Sequence, residues 1–191
     1  MPRTSNRLKI ITRVVSFNKP MNWLTRMGIT ALRAWGKMIN AMVWNALNPN
    51  DHVLLGFDLK KDIELLLCAY NDTSGVTRQF NLNVLDRINR ELGGEFDLSK
   101  FRHFGTYDVF SGAMESYLVS KEKQTVFVKE ISQFFSFEAW EPIHTEYSYK
   151  YLESDIQELA ADTGFVIEKQ LYDSKKYFVD SIWSVQKIDT P

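Results

Sequence analysis

The fold is decided by the stretch His52-Val-Leu-Leu-Gly-Phe-Asp58, which is almost continuously apolar and ends on an acid. Runs of this kind are typical of strands in a parallel sheet, where helices cover both faces. Polar residues follow at once in Leu59-Lys-Lys-Asp62. Because ligands of open α/β sheets bind beyond the carboxyl ends of the strands, the stretch predicts an α/β fold with a strand that ends near a binding site.

Two helices are predicted after this strand. Asp62 is expected to cap the first, which runs to Tyr70, and the second spans residues 76–92 and stops at Gly93-Gly94. The apolar stripe predicted for the first helix is Ile63, Leu66 and Leu67. The stripe predicted for the second helix recurs every four residues, at Phe80, Val84, Ile88 and Leu92.

Strand-like runs of sequence within residues 102–138 predict β-structure there. Within them, the runs 114–120 and 125–129 are expected to pair antiparallel through a loop at 121–124, because both have strand-like composition and a short polar connection.

The C-terminal part predicts one helix and two strands. Ser154-Asp-Ile-Gln157 has the pattern of a capping box, and Gly164 is placed to end the helix. Strands at 165–168 and 177–186, joined by a turn, are expected to pair antiparallel and to close a mixed sheet.

The composition of the 191 residues bounds the class of protein. Hydrophobic residues make up 45% of the chain, which is enough for a core, and no apolar stretch reaches the ~18 residues that suggest a membrane span. The single cysteine, Cys68, excludes an internal disulfide and is predicted to be a small buried apolar residue in a reducing compartment. A cytoplasmic location without membrane attachment is therefore expected.

The net charge of -1 conceals an asymmetry between the two parts of the chain. The first fifty residues hold eight Lys/Arg and no acid, whereas the rest hold fifteen Lys/Arg and twenty-four acids. The basic start is open to interpretation as a mitochondrial transit peptide, a nucleic-acid patch or sequence that replaced an N-terminal domain. Residues 21–47 have helical spacing, and an amphipathic helix over the core is the simplest interpretation. Nothing downstream supports a nucleic-acid partner.

Metal and hydrolase chemistries find little support. His52, His103 and His144 are scattered and, with one cysteine, have no metal-ligand spacing. The sequence contains neither a P-loop nor a Gly-x-Ser-x-Gly elbow. His144 and Glu146 have the composition of an acid–base pair, but surface polar groups with this spacing are more common.

Two segments carry a resemblance to a known family. They are Leu55-Gly-Phe-Asp-Leu-Lys-Lys-Asp62 with Ala69-Tyr-Asn-Asp72, Gly75-Val-Thr-Arg-Gln-Phe-Asn-Leu-Asn-Val-Leu85 and Asn89-Arg-Glu-Leu92, and then Trp140-Glu-Pro-Ile-His-Thr-Glu-Tyr-Ser-Tyr-Lys-Tyr151. In their order and spacing they resemble the histidine-specific SAM-dependent methyltransferases over about residues 51–191. Residues 1–48 do not resemble that family.

The resemblance implies a fold and a reaction. The fold would be a partial Rossmann-like class I methyltransferase core with an inserted α+β substrate-binding lobe. Within a C-terminal domain over residues 49–191, the lobe would occupy about residues 60–150 and the end of the core residues 151–191. The reaction would be transfer of methyl groups from S-adenosyl-L-methionine to the α-amino nitrogen of L-histidine, as in ergothioneine biosynthesis.

The resemblance also implies substrate contacts. Tyr70 matches a tyrosine at the substrate carboxylate, and Glu146 and Ser148 match the acid and hydroxyl that hold the imidazole. On an extended strand Glu146 and Ser148 share a face, and a carboxylate and a hydroxyl suit the two ring nitrogens. Ser116 stands near the position of a methionine that lines the imidazole pocket, with Met114 two residues earlier. The substrate is therefore expected to be histidine or another amino acid.

The sequence departs from the family at the cofactor. Class I methyltransferases hold SAM at a glycine-rich turn after the first strand, and no such turn is found before residue 51, where the glycines are Gly28 and Gly36. We therefore expect a truncated chain that is inactive alone. The alternative is a non-catalytic fragment that binds an amino acid or a paralogue. An open sheet edge also predicts self-association unless residues 21–47 cover the exposed face.

Overall fold

The computed structural model of the protein describes residues 8–10, 42–185 and 187. The chain forms two compact units, of which the second is Asp62–Ser148 and the first contains the described residues on either side of it. Most of the helix predicted over residues 21–47 lies outside the described residues, and its end, 42–46, is helical.

Nine strands and three complete helices organise the part of the chain that the structure describes. The strands are β1 Leu8–Ile10, β2 His52–Asp58, β3 Phe101–Asp108, β4 Ala113–Ser120, β5 Gln124–Val128, β6 Gln133–Phe137, β7 Pro142–Tyr149, β8 Phe165–Tyr172 and β9 Phe178–Val185. The helices are α1 Ile63–Tyr70, α2 Val76–Leu92 and α3 Glu153–Asp162. No helix among these residues is long and apolar enough to cross a membrane.

The first unit is built on a four-stranded sheet in the order β1-β2-β9-β8. Strand β2 is parallel to β1 and antiparallel to β9, and β9 is antiparallel to β8. Trp183 of β9 is 0% exposed and stacks on Phe57 with 5.7 Å between ring centroids. Ile156 and Ala160 of α3 are buried in the same cluster. The predicted α/β class and the mixed sheet are confirmed.

An ionic cluster lies at the carboxyl end of β2. Asp58 accepts from Lys150 Nζ at 2.7 Å and from Lys61 Nζ at 2.6 Å. The Lys150 side chain is 1% exposed, whereas that of Asp58 is 35% exposed. Next to this cluster the Tyr151 N–H donates to Asp58 O, and the Lys60 N–H donates to Tyr151 O, both at 2.9 Å. The two segments that flank residues 62–148 are thereby hydrogen-bonded to each other.

The second unit combines a three-stranded sheet, β3-β4-β7, with the hairpin β5-β6. Its core is a cluster of apolar side chains from α2, the sheet and the hairpin, namely Leu85, Phe96, Phe101, Leu118, Val126 and Val128. In the ladder between β3 and β4, Gly105 lies opposite Ser116. This rung matters for the site described below.

The predicted pairing of the runs 114–120 and 125–129 is wrong. Strand β4 pairs with β3, and β5 pairs with β6. The turn between β3 and β4 explains the difference, because Asp108 Oδ1 accepts from the Phe110 N–H and Asp108 Oδ2 from the Ser111 hydroxyl. Gly112 completes the turn at φ 72°, a conformation that favours glycine.

The apolar stripe predicted for α2 is also wrong at both ends. Phe80 is 62% exposed and Leu92 42% exposed, whereas the buried residues of this helix are Asn81 and Leu85. A four-residue repeat drifts by ~40° per step on a helix of 3.6 residues per turn, so four such positions cannot all face one core.

Three smaller predictions on the helices fail. Cys68 is exposed rather than buried, and Ile63 of the α1 stripe is exposed while Leu66 is buried. Helix α3 begins at Glu153, before the predicted cap at Ser154, and Asp155 Oδ2 accepts from the Leu152 N–H at 2.8 Å. The capping contact thus comes from Asp155 in the first turn of the helix, and not from Ser154.

Candidate functional site

An open pocket of about 280 Å³ lies within the second unit. It is lined by the end of α1, the start of α2 and one residue of β7, namely Ala69, Tyr70, Val76, Thr77, Phe80 and Glu146. Small-molecule sites usually occupy about 300–1,000 Å³, so this pocket suits a ligand of amino-acid size.

Among the described residues that line this pocket, Glu146 is the one with a charged side chain. Ser116 Oγ lies 3.5 Å from Glu146 Oε2, the long end of the range for a hydrogen bond. Since Ser116 is 0% exposed, it sits behind the carboxylate rather than in the lining. The carboxylate can therefore accept an N–H from a ligand while its other side contacts the sheet.

The strand that carries Glu146 is tied to α2 through a buried polar contact. The Thr145 hydroxyl lies 2.5 Å from Asn81 Oδ1 and 3.0 Å from Ser116 O. Asn81 is buried, and its Nδ2 donates to Thr77 O at 3.1 Å. One asparagine thus connects the neighbour of Glu146 to Thr77, and both Glu146 and Thr77 line the pocket.

The structure brings two of the four predicted site residues into the lining. Tyr70 and Glu146 both line it, although 76 positions separate them in the chain. Ser148 is half-buried on β7 and is not among the lining residues, and Met114 is fully buried. His144 packs beside Tyr117, with 5.0 Å between ring centroids, instead of lining the pocket with Glu146.

Sequence reasoning missed the wall that α2 contributes. Val76, Thr77 and Phe80 line the pocket, and Phe80 had been assigned to the core. Asp72 was the local signal for this wall. An aspartate shortly before a helix can accept from the free N–H groups of the first turn and so determine where the helix begins.

Asp72 holds the first turn of α2 in place. Its Oδ2 accepts from the Ser74 hydroxyl at 2.5 Å, and its two oxygens accept from the N–H groups of Val76 and Thr77 at 2.8 Å each. The Ser74 hydroxyl first, and then the backbone N–H groups, hold the pKa of the Asp72 carboxyl well below its usual range. Because hydrogen bonds to a charged acceptor are stronger, these three donors favour the ionised carboxylate.

Asp72 makes stability depend on acid pH. A carboxylate whose pKa is lower in the folded protein contributes stability above its ordinary pKa of 3.8, and that contribution is lost as the pH falls below it. We expect Asp72→Asn to lower the melting temperature at pH 7 and to lower it less at pH 3. Asp180→Asn, at an exposed position, is the control, and an equal effect of Asp72→Asn at both pH values would contradict the assignment.

The arrangement has the chemistry of a binding site. One carboxylate and a phenol supply directional polar contacts, and the apolar part of the wall comes from Ala69, Val76 and Phe80. Such a pocket fits a small molecule with an N–H donor and a flat or apolar body.

Comparison with known proteins identifies the family. Residues 31–185 match the family described as "Histidine-specific methyltransferase, SAM-dependent". The chain belongs to this family of histidine-specific methyltransferases. The expected resemblance is confirmed, and the match begins at residue 31 instead of about residue 51.

Several members of the family are similar to parts of the chain. It is 38% identical over 120 residues to the histidine N-alpha-methyltransferase of Mycolicibacterium smegmatis and 41% identical over 105 residues to that of Mycobacterium tuberculosis. These matches cover 63% and 55% of the chain but only 37% and 33% of the relatives, so the chain spans about a third of their length. Ergothioneine biosynthesis protein 1 of Schizosaccharomyces pombe is 29% identical over 120 residues, 62% of the chain and 15% of that protein.

Two solved structures are similar at low scores. The CcbJ methyltransferase from Streptomyces caelestis has a TM-score of 0.40 and 8% identity, covering 81% of this chain and 54% of that chain. A SAM-dependent methyltransferase from Clostridium acetobutylicum has a TM-score of 0.33 and 10% identity, covering 84% of this chain and 53% of that chain. The family assignment rests on the sequence match.

The described residues do not fit SAM by themselves. Within 8–10, 42–185 and 187, no glycine-rich turn follows a parallel strand, because Gly56 lies inside β2 and the next residues are Leu59-Lys-Lys-Asp62. Asp58, at the end of β2, is held by two lysines. The chemistry derived below is therefore that of the amino-acid substrate.

Proposed function

We propose that residues 62–148 form the substrate lobe of a SAM-dependent N-methyltransferase and bind L-histidine for methylation of its α-amino group. The observation that carries the proposal is the pocket that joins Tyr70 to Glu146 in a member of this family. The mycobacterial relatives are named histidine N-alpha-methyltransferases, which supports L-histidine as the first ligand to test.

Each lining group has a role in this proposal. Glu146 accepts the imidazole N–H, Tyr70 donates to the substrate carboxylate, and Phe80 covers the ring. Ser148 lies outside the lining but two residues along the extended β7 from Glu146, so it shares a face with Glu146 and is the group proposed for the other ring nitrogen. Holding both ends of the amino acid orients the α-amino nitrogen, and orientation supplies most of the rate enhancement in a transfer that needs no covalent nucleophile.

The buried serine behind Glu146 bears on substrate choice. Ser116 contacts the carboxylate with its hydroxyl, whereas the methionine expected near that position would present an apolar side chain. We infer that Ser116 keeps the Glu146 carboxylate turned toward the pocket by donating to it. A ligand with an N–H donor at that end is then favoured over a purely apolar side chain.

A second candidate is a non-catalytic protein that binds an amino acid. It is favoured by one observation, that the described residues build an amino-acid-sized pocket while holding no SAM turn. The two candidates share the pocket and differ in whether the chain also binds the cofactor.

Calorimetric titration of the purified chain separates them. We expect L-histidine to bind, and we expect L-alanine to bind much more weakly, because it lacks the imidazole that Glu146 would hold. Failure of L-histidine to bind would overturn the proposed function. Titration with S-adenosylhomocysteine then decides between the candidates, since binding indicates a methyltransferase and its lack alongside histidine binding indicates an amino-acid-binding protein.

A further inference from the structure

The backbone at Tyr70 is fixed by a set of contacts that the proposed substrate site does not use. His103 Nε2 lies 2.8 Å from Tyr70 O. Because a carbonyl oxygen can only accept, Nε2 must carry the proton. The other ring nitrogen, Nδ1, is buried and has no hydrogen-bond partner among the described residues.

Asn71 forms a second attachment between the end of α1 and β3. Its Nδ2 donates to Gly105 O at 2.9 Å, and its Oδ1 accepts from the Gly105 N–H at 2.8 Å. A side-chain amide that both donates to and accepts from one backbone residue acts like an added strand residue. The orientation of the amide is thereby determined as well.

Gly105 permits the close approach. A Cβ at this position would lie 2.9 Å from Tyr70 Cβ and 3.3 Å from Tyr70 O, closer than carbon atoms tolerate without movement. We call His103, Asn71 and Gly105 the Tyr70 clamp. Together these residues fix the backbone at Tyr70 against β3.

One rung of the ladder between β3 and β4 links the clamp to Glu146. Gly105 of β3 is opposite Ser116 of β4, and Ser116 contacts the carboxylate of Glu146. A short path of hydrogen bonds and one close approach therefore connects the two polar residues of the pocket.

We propose that His103 is a positioning residue that acts through Tyr70, with Asn71 and Gly105 completing the clamp. The inference rests on the proposed function in that Tyr70 is taken to bind the amino acid. His103 itself makes no contact with the ligand. It acts through the hydrogen bond that its Nε2–H donates to Tyr70 O.

A double-mutant cycle tests this role in the full chain. His103→Leu removes the donor, whereas His103→Gln keeps an N–H near the position of Nε2. We expect His103→Leu to weaken L-histidine binding about tenfold, or about 1.4 kcal/mol, and His103→Gln to change it by about threefold or less. In a Tyr70→Phe background the His103→Leu effect should disappear, because residues that act through one another are not additive.

The cycle also has an outcome that overturns the proposal. Additive effects of His103→Leu and Tyr70→Phe on L-histidine affinity would mean that His103 does not act through Tyr70. His52→Leu, in β2 of the other unit, is the matched control for the loss of an imidazole, and an equal loss of affinity there would also count against the clamp.

A readout without ligand keeps the proposal separate from the proposed function. In chain labelled with 3-fluorotyrosine, the Tyr70 resonance is identified by its loss in Tyr70→Phe. We expect one narrow resonance in the wild type and in His103→Gln, and a shifted or broadened one in His103→Leu. An unchanged resonance in His103→Leu would overturn the clamp. If the resonance changes as expected but L-histidine does not bind to the wild type, only the proposed function is overturned.

Gly105→Ala provides an independent variant where His103→Leu fails to fold. The added methyl group should shift the Tyr70 fluorine resonance, since it meets Tyr70 directly. The control is Gly56→Ala in β2, where the added Cβ would meet the ring of Phe178. A shift of the Tyr70 resonance in Gly56→Ala and none in Gly105→Ala would contradict the clamp.

Discussion

Glu146→Gln is expected to weaken the binding of L-histidine by about ten- to a hundredfold. The exchange keeps the shape of the side chain and removes the one charge in the pocket lining. Hydrogen bonds to charged groups contribute about 1.5–3 kcal/mol, and each 1.4 kcal/mol is about a tenfold change in affinity. Calorimetric titration of the variant with L-histidine measures the loss directly.

The matched control for this variant is Glu130→Gln. Glu130 is an exposed glutamate in the same unit, and its exchange changes the net charge equally without touching the pocket. We expect the affinity of this control to equal that of the wild type. If both variants lose affinity equally, the attraction is a general effect of charge and the assignment of the imidazole to Glu146 is wrong.

Asp58→Asn is expected to lower the free energy of unfolding by about 1.5–3 kcal/mol, the contribution of a hydrogen bond between charged groups. The exchange takes the carboxylate away from Lys150, whose side chain is almost fully buried. Urea denaturation followed by tryptophan fluorescence measures the change, because Trp183 lies in the core of the same unit.

The opposite exchange, Lys150→Met, should cost much less. It fills the same space with an apolar chain, and Asp58 keeps Lys61 at 2.6 Å and remains partly exposed to solvent. The expected order of stability is therefore wild type, Lys150→Met and then Asp58→Asn. Equal losses in the two variants would show that packing at Lys150, and not the ion pair, stabilises this point.

The predictions that succeeded depend on short-range signals. Asp62 was expected to start α1, and its Oδ1 accepts from the N–H groups of Glu64 and Leu65. The apolar run that ends at Asp58 forms β2 with the same bounds. In both cases the residues that determine the structure lie within a few positions of it, so the sequence contains the whole cause.

Strand pairing was predicted wrongly because strand composition does not show which neighbour a turn selects. Several strands between residues 101 and 137 have similar composition, and a short polar loop at 121–124 favours the wrong neighbour. The Asp108–Gly112 turn, which decides the matter, depends on side-chain hydrogen bonds that composition does not reveal.

The candidate site was predictable only in part because its residues lie far apart in the chain. Glu146 and Tyr70 came from motif resemblance, and nothing in their own surroundings places them in one pocket. The partnership of Asn81 with Thr145 joins positions 64 apart and could not be inferred from either segment. Phe80 was assigned to the core because a four-residue repeat imitates a buried stripe over a short span.

The hydrogen bonds between Tyr151 and the segment 58–60 have a consequence for how such a protein can evolve. The segment 62–148, eighty-seven residues long, is inserted between two stretches of the first unit that are hydrogen-bonded to each other. A change in the length or sequence of this segment does not alter the residues that make the flanking backbone hydrogen bonds. Chains tolerate insertions best where the two ends of the inserted segment lie close together. Inserted segments of different length and sequence can therefore follow Lys61 without a change in the sheet of the first unit.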